Sequence, residues 1–199
     1  MNILEKYVKL LKSGQIVGFP TETVFGLAID YHNKNAYLDL MQLKNAPKNK
    51  PITLHFSDKE MIKTFIKQPH DAFERLAFRF LPGPLTIITY KSEKVPDWIS
   101  NDDTVGIRLV SHPVGSKFIR LCGGIVAATS ANLYNQPALL SSQDVLKTFA
   151  KLEDQVVFGK VDLKVASTII DLTKQPYRLI REGMLAKDEL ELVLKAPII

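Results

Sequence analysis

Apolar positions along this chain switch repeatedly between a helical and a strand spacing, and the switches mark the predicted elements. Ile3, Tyr7, Leu10 and Leu11 fall on one helical face, and Gly14 follows as a stop. Residues 16–19 form a short apolar run ending at Pro20 and read as a buried strand, with a second over 24–29. Residues 35–43 are helical, with Ala36, Leu40 and Leu43 on one side. A strand over 52–56 follows Pro51, and helices over 59–66 and 71–81 are split by Pro69. Pro82, Gly83 and Pro84 force a rigid turn. Strands follow over 85–90 and 104–110, a helix over 112–121 with Pro113 in its first turn, and a strand over 124–129. Next come a helix over 142–150 capped by Ser141 or Ser142, strands over 155–158, 168–172 and 178–180, and a helix over 187–194. This alternation predicts an α/β fold: one domain over residues 1–199, a central twisted mixed sheet and covering helices. The stretch 91–103, rich in charge and holding Pro96, reads as a surface loop or flap.

Composition narrows the class. The chain has 199 residues, 46% hydrophobic and 24% charged, which excludes disorder and allows one large core. Its one cysteine, Cys122, excludes an intrachain disulfide and a cysteine metal site, and reads as a small buried hydrophobe in a reducing compartment. The first 14 residues are amphipathic, with Glu5 and several lysines and no apolar core, so they are not a signal peptide. No stretch approaches the length of a membrane span, so a cytoplasmic protein with no membrane partner is expected. The formal charge of +5 favours a polyanion such as RNA or nucleotide phosphate, although a lysine-rich solvated surface gives the same number.

The chain has no Gly-x-Ser-x-Gly, His-Glu-x-x-His, Walker lysine loop or Gly-x-Gly-x-x-Gly. Polar residues at strand ends remain. Thr21, Glu22 and Thr23 sit between two apolar strands, where α/β sheets bind ligands, and where a plain capped turn would look the same. Lys44, Lys48 and Lys50 precede a strand and could clamp a triphosphate as point charges, on a loop that is mobile until nucleotide binds; a solvated basic loop is the other reading. Arg108, between Ile107 and Leu109, must point outward, join a structural ion pair or meet an anion such as a substrate carboxylate. It is grouped with Ser130, Ala131 and Asn132 after a neighbouring strand, while Ser167 to Asp171 and Arg181 with Gly183 form the last cluster. With no evident nucleophile, the set suits a site that binds and orients several substrates.

The order of these motifs carries a resemblance. Pro20-Thr-Glu-Thr-Val-Phe-Gly-Leu27, Pro51-Ile-Thr-Leu-His55, Pro82-Gly-Pro-Leu-Thr86, Thr104-Val-Gly-Ile-Arg108, His112-Pro113, Ser130-Ala-Asn132, Ser167-Thr-Ile-Ile-Asp171 and Arg181-Glu-Gly183 occur in sequence. The chain resembles the YrdC-like threonylcarbamoyl-AMP synthase family in its short, single-domain form. The resemblance implies a basic concave cleft and condensation of L-threonine, bicarbonate and ATP to threonylcarbamoyl-AMP and pyrophosphate, for threonylcarbamoyladenosine modification of tRNA. By motif, Thr23, His55, Arg108 and Ser167 resemble threonine-binding positions. Lys44, Lys50, Thr104, Ser130, Asn132 and Arg181 resemble nucleotide-binding ones, with Lys44, Arg108 and Ser130 nearest the chemistry. Mg²⁺ is expected to arrive with ATP, and tRNA and the threonylcarbamoyl-transferase proteins are the implied partners. The basic loop departs from the family's Lys-x-Arg by reading Lys44-Asn45-Ala46, so Lys48 or Lys50 stands in for the arginine. That departure and the net charge leave a second reading, an RNA-binding or ribosome-associated module of the same fold with weakened catalysis.

Overall fold

The computed structural model describes residues 3–100 and 102–199; Met1 and Asn2 of the amphipathic N-terminal stretch, and Asn101 of the stretch 91–103, lie outside the described residues. Helix α1 (Leu4–Lys12) leads into β1 (Val17–Phe19) and β2 (Gly26–Ile29), which pair antiparallel. Helix α2 (Lys34–Leu43) starts where the Asn33 side chain accepts the Ala36 N–H. After β3 (Thr53–Phe56) come α3 (Lys59–Phe65), α4 (Asp71–Phe80), β4 (Leu85–Tyr90) and β5 (Thr104–Leu109). Helix α5 (Pro113–Leu121) has proline in its first turn, and His112 Nδ1 accepts the Gly115 N–H at 3.2 Å. Strand β6 (Ile125–Ser130) and α6 (Ser142–Thr148), capped by Ser141, precede β7 (Thr168–Asp171), β8 (Arg178–Arg181) and α7 (Lys187–Leu194).

The strands form one mixed eight-stranded sheet in the order β1-β2-β6-β3-β5-β4-β7-β8. Side chains alternate between its faces. One face meets the main core: Leu27 and Ile29 of β2, Leu54 and Phe56 of β3, Leu85 and Ile87 of β4, Val105, Ile107 and Leu109 of β5, and Ile170 of β7, packed with residues of α2, α3, α4, α6 and α7. On the other face a smaller core joins Val17, Phe19, Ala28, Val126 and Ala128 to Leu4 and Leu11 of α1 and Phe118 and Ile119 of α5. Helices α1 and α5 thus cover the β1, β2 and β6 side. The rest of that face, from β3 to β8, is left open and lines a cleft. A Cβ on Gly115 would lie 2.2 Å from the Pro20 carbonyl oxygen, so only glycine lets α5 approach the turn after β1 so closely.

Three expectations are corrected. Residues 155–158 make no strand: Val156 meets β1 in a single bridge at Gly18, and Gly159 then packs closely against the Pro20 ring. The stretch 91–103 is no loose flap, because Val95 and Ile99 are buried in the main core and Ile99 O accepts the Ile52 N–H at 3.0 Å. In α1, Leu4 rather than Ile3 is buried with Leu11, and Ile3 is exposed. Cys122 is buried, and desolvation pushes its thiol pKa up to about 12. No helix among the described residues is long and apolar enough to cross a membrane.

Candidate active site

The open face reads as a row of side chains set by strand alternation. Thr53 and His55 of β3, Gly106 and Arg108 of β5, Thr86 of β4 and Ile169 of β7 all point away from the main core and line the cleft. A smaller, basic lobe of about 190 Å³ is lined by Thr21, Lys50, His55, Thr86, Arg108, Ser130, Ser167 and Arg181. It adjoins a larger lobe of about 560 Å³ that shares Pro51, Thr53, Thr86 and Ile169 with it and adds Ile88, Tyr90, Thr104, Asp171 and Ile180.

Arg108 is buried, and the structure resolves the choice the sequence left open. Its NH2 donates to Glu22 Oε1 at 2.8 Å and to Thr23 Oγ1, so the ion pair exists. Its Nε, also buried, has no hydrogen-bond partner, so the fork is only partly spent. Glu22 Oε2 accepts the Ser111 and His112 N–H groups at 3.2 and 3.3 Å, which ties the turn after β1 to the end of β5. Burial alone would raise the Glu22 carboxyl, but the Arg108 charge and these hydrogen bonds outweigh it and hold the pKa below the usual range. Thr23 is fully buried, and its hydroxyl lies 3.0 Å from that of Thr21.

His55 faces Arg108 in the parallel β3–β5 register. Desolvation first, and Arg108 second, push its imidazole pKa down to about 3, so it is neutral at neutral pH. Its Nδ1 lies 3.3 Å from the Thr53 carbonyl and takes the donor role there, leaving Nε2 as an acceptor.

Ser167 is held from two sides. Its hydroxyl lies 3.0 Å from Thr86 Oγ1, and Arg181 clamps its carbonyl with Nε at 3.0 Å and NH2 at 2.8 Å. A Cβ on Gly183 would lie 2.3 Å from the Ala166 carbonyl oxygen, so glycine is needed where the chain after β8 crosses the approach to Ser167. Arg181 and Lys50 have lowered pKa values, from desolvation first and then from Arg108 and Lys50's neighbour Arg181 respectively. Lys50 Nζ sits 4.5 Å over the Tyr134 ring.

Of the positions expected to bind nucleotide, Lys50, Ser130 and Arg181 line the basic lobe and Thr104 the larger one, where its hydroxyl donates to Asp102 at 2.6 Å. Lys44 and Asn132 do not line either lobe. Lys44 is 1% exposed; its Nζ donates to Ser130 O at 2.5 Å, Asn132 O at 2.6 Å and Asn132 Oδ1 at 3.1 Å, so in this structure its ammonium is directed at these oxygens and not into the cleft. Burial, then the Lys50 charge, pulls its pKa down to about 7. Of the two candidate replacements for the absent arginine, Lys50 reaches the cleft and Lys48 is exposed away from it. Ala46 packs against the main core. The basic loop is tied rather than loose, since Tyr37 Oη donates to Lys48 O and Lys50 O, each at 2.9 Å. Sequence reasoning left Glu22 and Thr86 out of the site residues. Glu22 sat in the Thr21–Thr23 cluster, and the period of β4 sets Thr86 opposite Leu85 and Ile87.

A family model, Sua5/YciO/YrdC, described as "Telomere recombination", matches residues 9–183. The chain is 37% identical over 186 residues to the threonylcarbamoyl-AMP synthase of Pyrococcus abyssi, covering 92% of this chain and 55% of that protein. It is 30% identical over 188 residues to the Bacillus subtilis protein of the same name, covering 93% and 54%. The solved structure of P. abyssi Sua5 in complex with L-threonine superposes with a TM-score of 0.91 at 34% identity, over 98% of this chain and 58% of that one. The chain spans about half the length of these curated relatives.

Proposed function

The chain belongs to the Sua5/YciO/YrdC family, and from that premise we propose that its open sheet face makes threonylcarbamoyl-AMP from L-threonine, bicarbonate and ATP. One observation carries the reading. Arg108, Lys50 and Arg181 converge on one lobe, where Glu22 supports only the first, so the lobe holds more positive charge than the protein balances. A site that depresses its own cations is built for anions.

In this reading the threonine carboxylate meets the unspent edge of Arg108, the hydroxyls of Thr21 and Ser167 line the lobe beside it, and fully buried Thr23 supports Arg108. The P. abyssi relative was solved with L-threonine, which supports an amino acid here. The triphosphate lies against Lys50 and Arg181 near Ser130, and the apolar wall of Ile88, Ile169 and Ile180 in the larger lobe takes the nucleoside. His55, with its pKa about 3, accepts a hydrogen bond but is too weak a base to take a proton from an ammonium at neutral pH. The chain therefore acts by alignment: the free threonine amine adds to the bicarbonate carbon, the bicarbonate C–OH bond breaks and its hydroxyl leaves as water with one amine proton, and an oxygen of the resulting carbamate attacks the α-phosphorus as the bond to pyrophosphate breaks. Among the described residues no group of three or more His, Cys, Asp or Glu gathers to hold a metal, and Glu22 is already spent on Arg108. In this reading Mg²⁺ arrives with ATP and is carried mainly by the phosphate oxygens and water. The product would then serve tRNA modification in the cytoplasm, through a threonylcarbamoyl-transferase.

Pyrophosphate release from ATP is expected to require both L-threonine and bicarbonate. Release that ignores either one overturns the reading. No release, together with tight RNA binding, would replace it with the RNA-binding module.

A further inference from the structure

Lys44 has no place in the cleft, and its surroundings point to one beneath it. An ammonium has three protons, and all three are committed to oxygens of Ser130 and Asn132. To reach a phosphate it would have to leave buried carbonyls unpaired. The main chain joins in, since Lys44 O accepts the Tyr134 N–H at 2.8 Å. Asn132 is equally closed: its Oδ1 also accepts from Ser130 Oγ at 2.6 Å, and its Nδ2 donates to Leu133 O at 2.7 Å and Gln136 O at 2.9 Å. Two groups of the cleft depend on this loop. Ser130 lines the basic lobe, and the Tyr134 ring lies under Lys50. The lysine comes from the end of α2 and its acceptors from the end of β6, 86 and 88 residues away, so no local turn chemistry could set their relation.

We propose that Lys44 is a positioning residue: its buried ammonium fixes the 130–134 loop, and so places Ser130 and Lys50 for the bound nucleotide without touching it. The proposal rests on the reading that the basic lobe binds ATP. It also assigns Asn132 as the middle of the brace rather than as a ligand.

The test compares Lys44→Met, which keeps an apolar stem and removes the ammonium, with Asn132→Ala and the double variant. Calorimetric titration of ATP and of L-threonine is paired with amide hydrogen exchange in the ligand-free proteins. A brace predicts that each single variant weakens ATP by a similar factor, on the order of tenfold, and that the double variant is no weaker than either, because the two act as one unit. Threonine affinity should stay within about twofold, which a general loss of fold would not allow. Exchange at Ala131, Tyr134 and Gln136, whose N–H groups bond to Phe25 O, Lys44 O and Leu133 O, should quicken in both. Direct phosphate contact predicts the opposite for Asn132→Ala, since freeing the ammonium would leave ATP as tight or tighter. That result, or weaker ATP with unchanged exchange in Lys44→Met, overturns the proposal. If Lys44→Met does not fold, Asn132→Ala decides by the same two readouts. If the wild-type protein binds no ATP, the reading of the lobe fails, and the exchange rates alone then support or overturn the brace.

Discussion

Under α1 and α5 the sheet presents Val17, Phe19, Ala28, Val126 and Ala128, all buried. A few strands along the same face it presents Thr53, His55, Thr86, Gly106 and Arg108 to the cleft. Both halves are built from short strands of one ladder, and both back onto the same main core. They differ in what lies above. Where a helix covers the sheet, burial stabilises by area and needs no direction. Where none does, each polar group must find a lateral partner in its own layer, as Arg108 does with Glu22 and Ser167 does with Thr86 and Arg181. His55 stands at the border, edge-on to Phe19 at 6.2 Å between centroids and in register with Arg108. The comparison teaches that the cleft exists because two helices stop short, and that its charges are held by one another rather than by packing.

The largest effect should come from breaking the Glu22–Arg108 ion pair of the open half. Glu22→Ala leaves the Arg108 charge buried and uncompensated, which should cost about 3–5 kcal/mol of stability in denaturant unfolding and abolish threonine binding. Removing both charges with Glu22→Leu and Arg108→Met should recover most of the stability and none of the binding. Recovered binding in the double variant would show that Arg108 is only structural.

In the covered half, Phe118→Ala should cost about 3–4 kcal/mol through lost burial and a cavity, while ligand affinities in the folded protein stay unchanged. A drop in threonine affinity larger than in stability would show that the halves are coupled.

Acid should single out the border residue. The folded His55 binds its proton only near pH 3, whereas an unfolded histidine does so near 6.5, so between these values the unfolded state carries more protons and stability falls as pH falls. Lowering pH from 7 to 4 should remove about 3 kcal/mol by this group, and His55→Gln should flatten that slope. Glu22 adds in the same direction at lower pH, because its depressed carboxyl is stabilising only while ionised. An unchanged slope in His55→Gln would place the imidazole in water.

The smallest effect is the sharpest for the cleft. Lys50→Met should weaken ATP by about 1–2 kcal/mol, leave threonine nearly unchanged and cost little stability, since Lys50 is only half-buried. The same substitution at exposed Lys48 should do nothing measurable.

Much of the fold was legible. The helix over 187–194 and the strand over 85–90 appear as read, because their periods are clean and their ends are punctuated. The run 155–158 misled because three β-prone residues, Val156, Val157 and Phe158, say nothing about whether a partner strand is long enough to pair with them. The stretch 91–103 misled because charge hid two core residues, Val95 and Ile99. In the site, Arg108 was legible as an arginine amid apolar neighbours, and Lys50 as a basic residue before a strand. Lys44 was legible as a basic residue, but its carbonyl partners were not, since composition cannot tell a lysine that faces a phosphate from one that faces carbonyls.

The sequence by itself determined most of the elements, their order and which strand positions share a face, since periods and caps act over a few residues. Only the tertiary structure decided which half of the sheet stays uncovered, that Glu22 meets Arg108, and that Lys44 reaches Ser130 and Asn132. Those relations span 86 to 88 residues of chain. They are fixed by where buried charges can be satisfied, which is a property of the packed molecule and not of any segment.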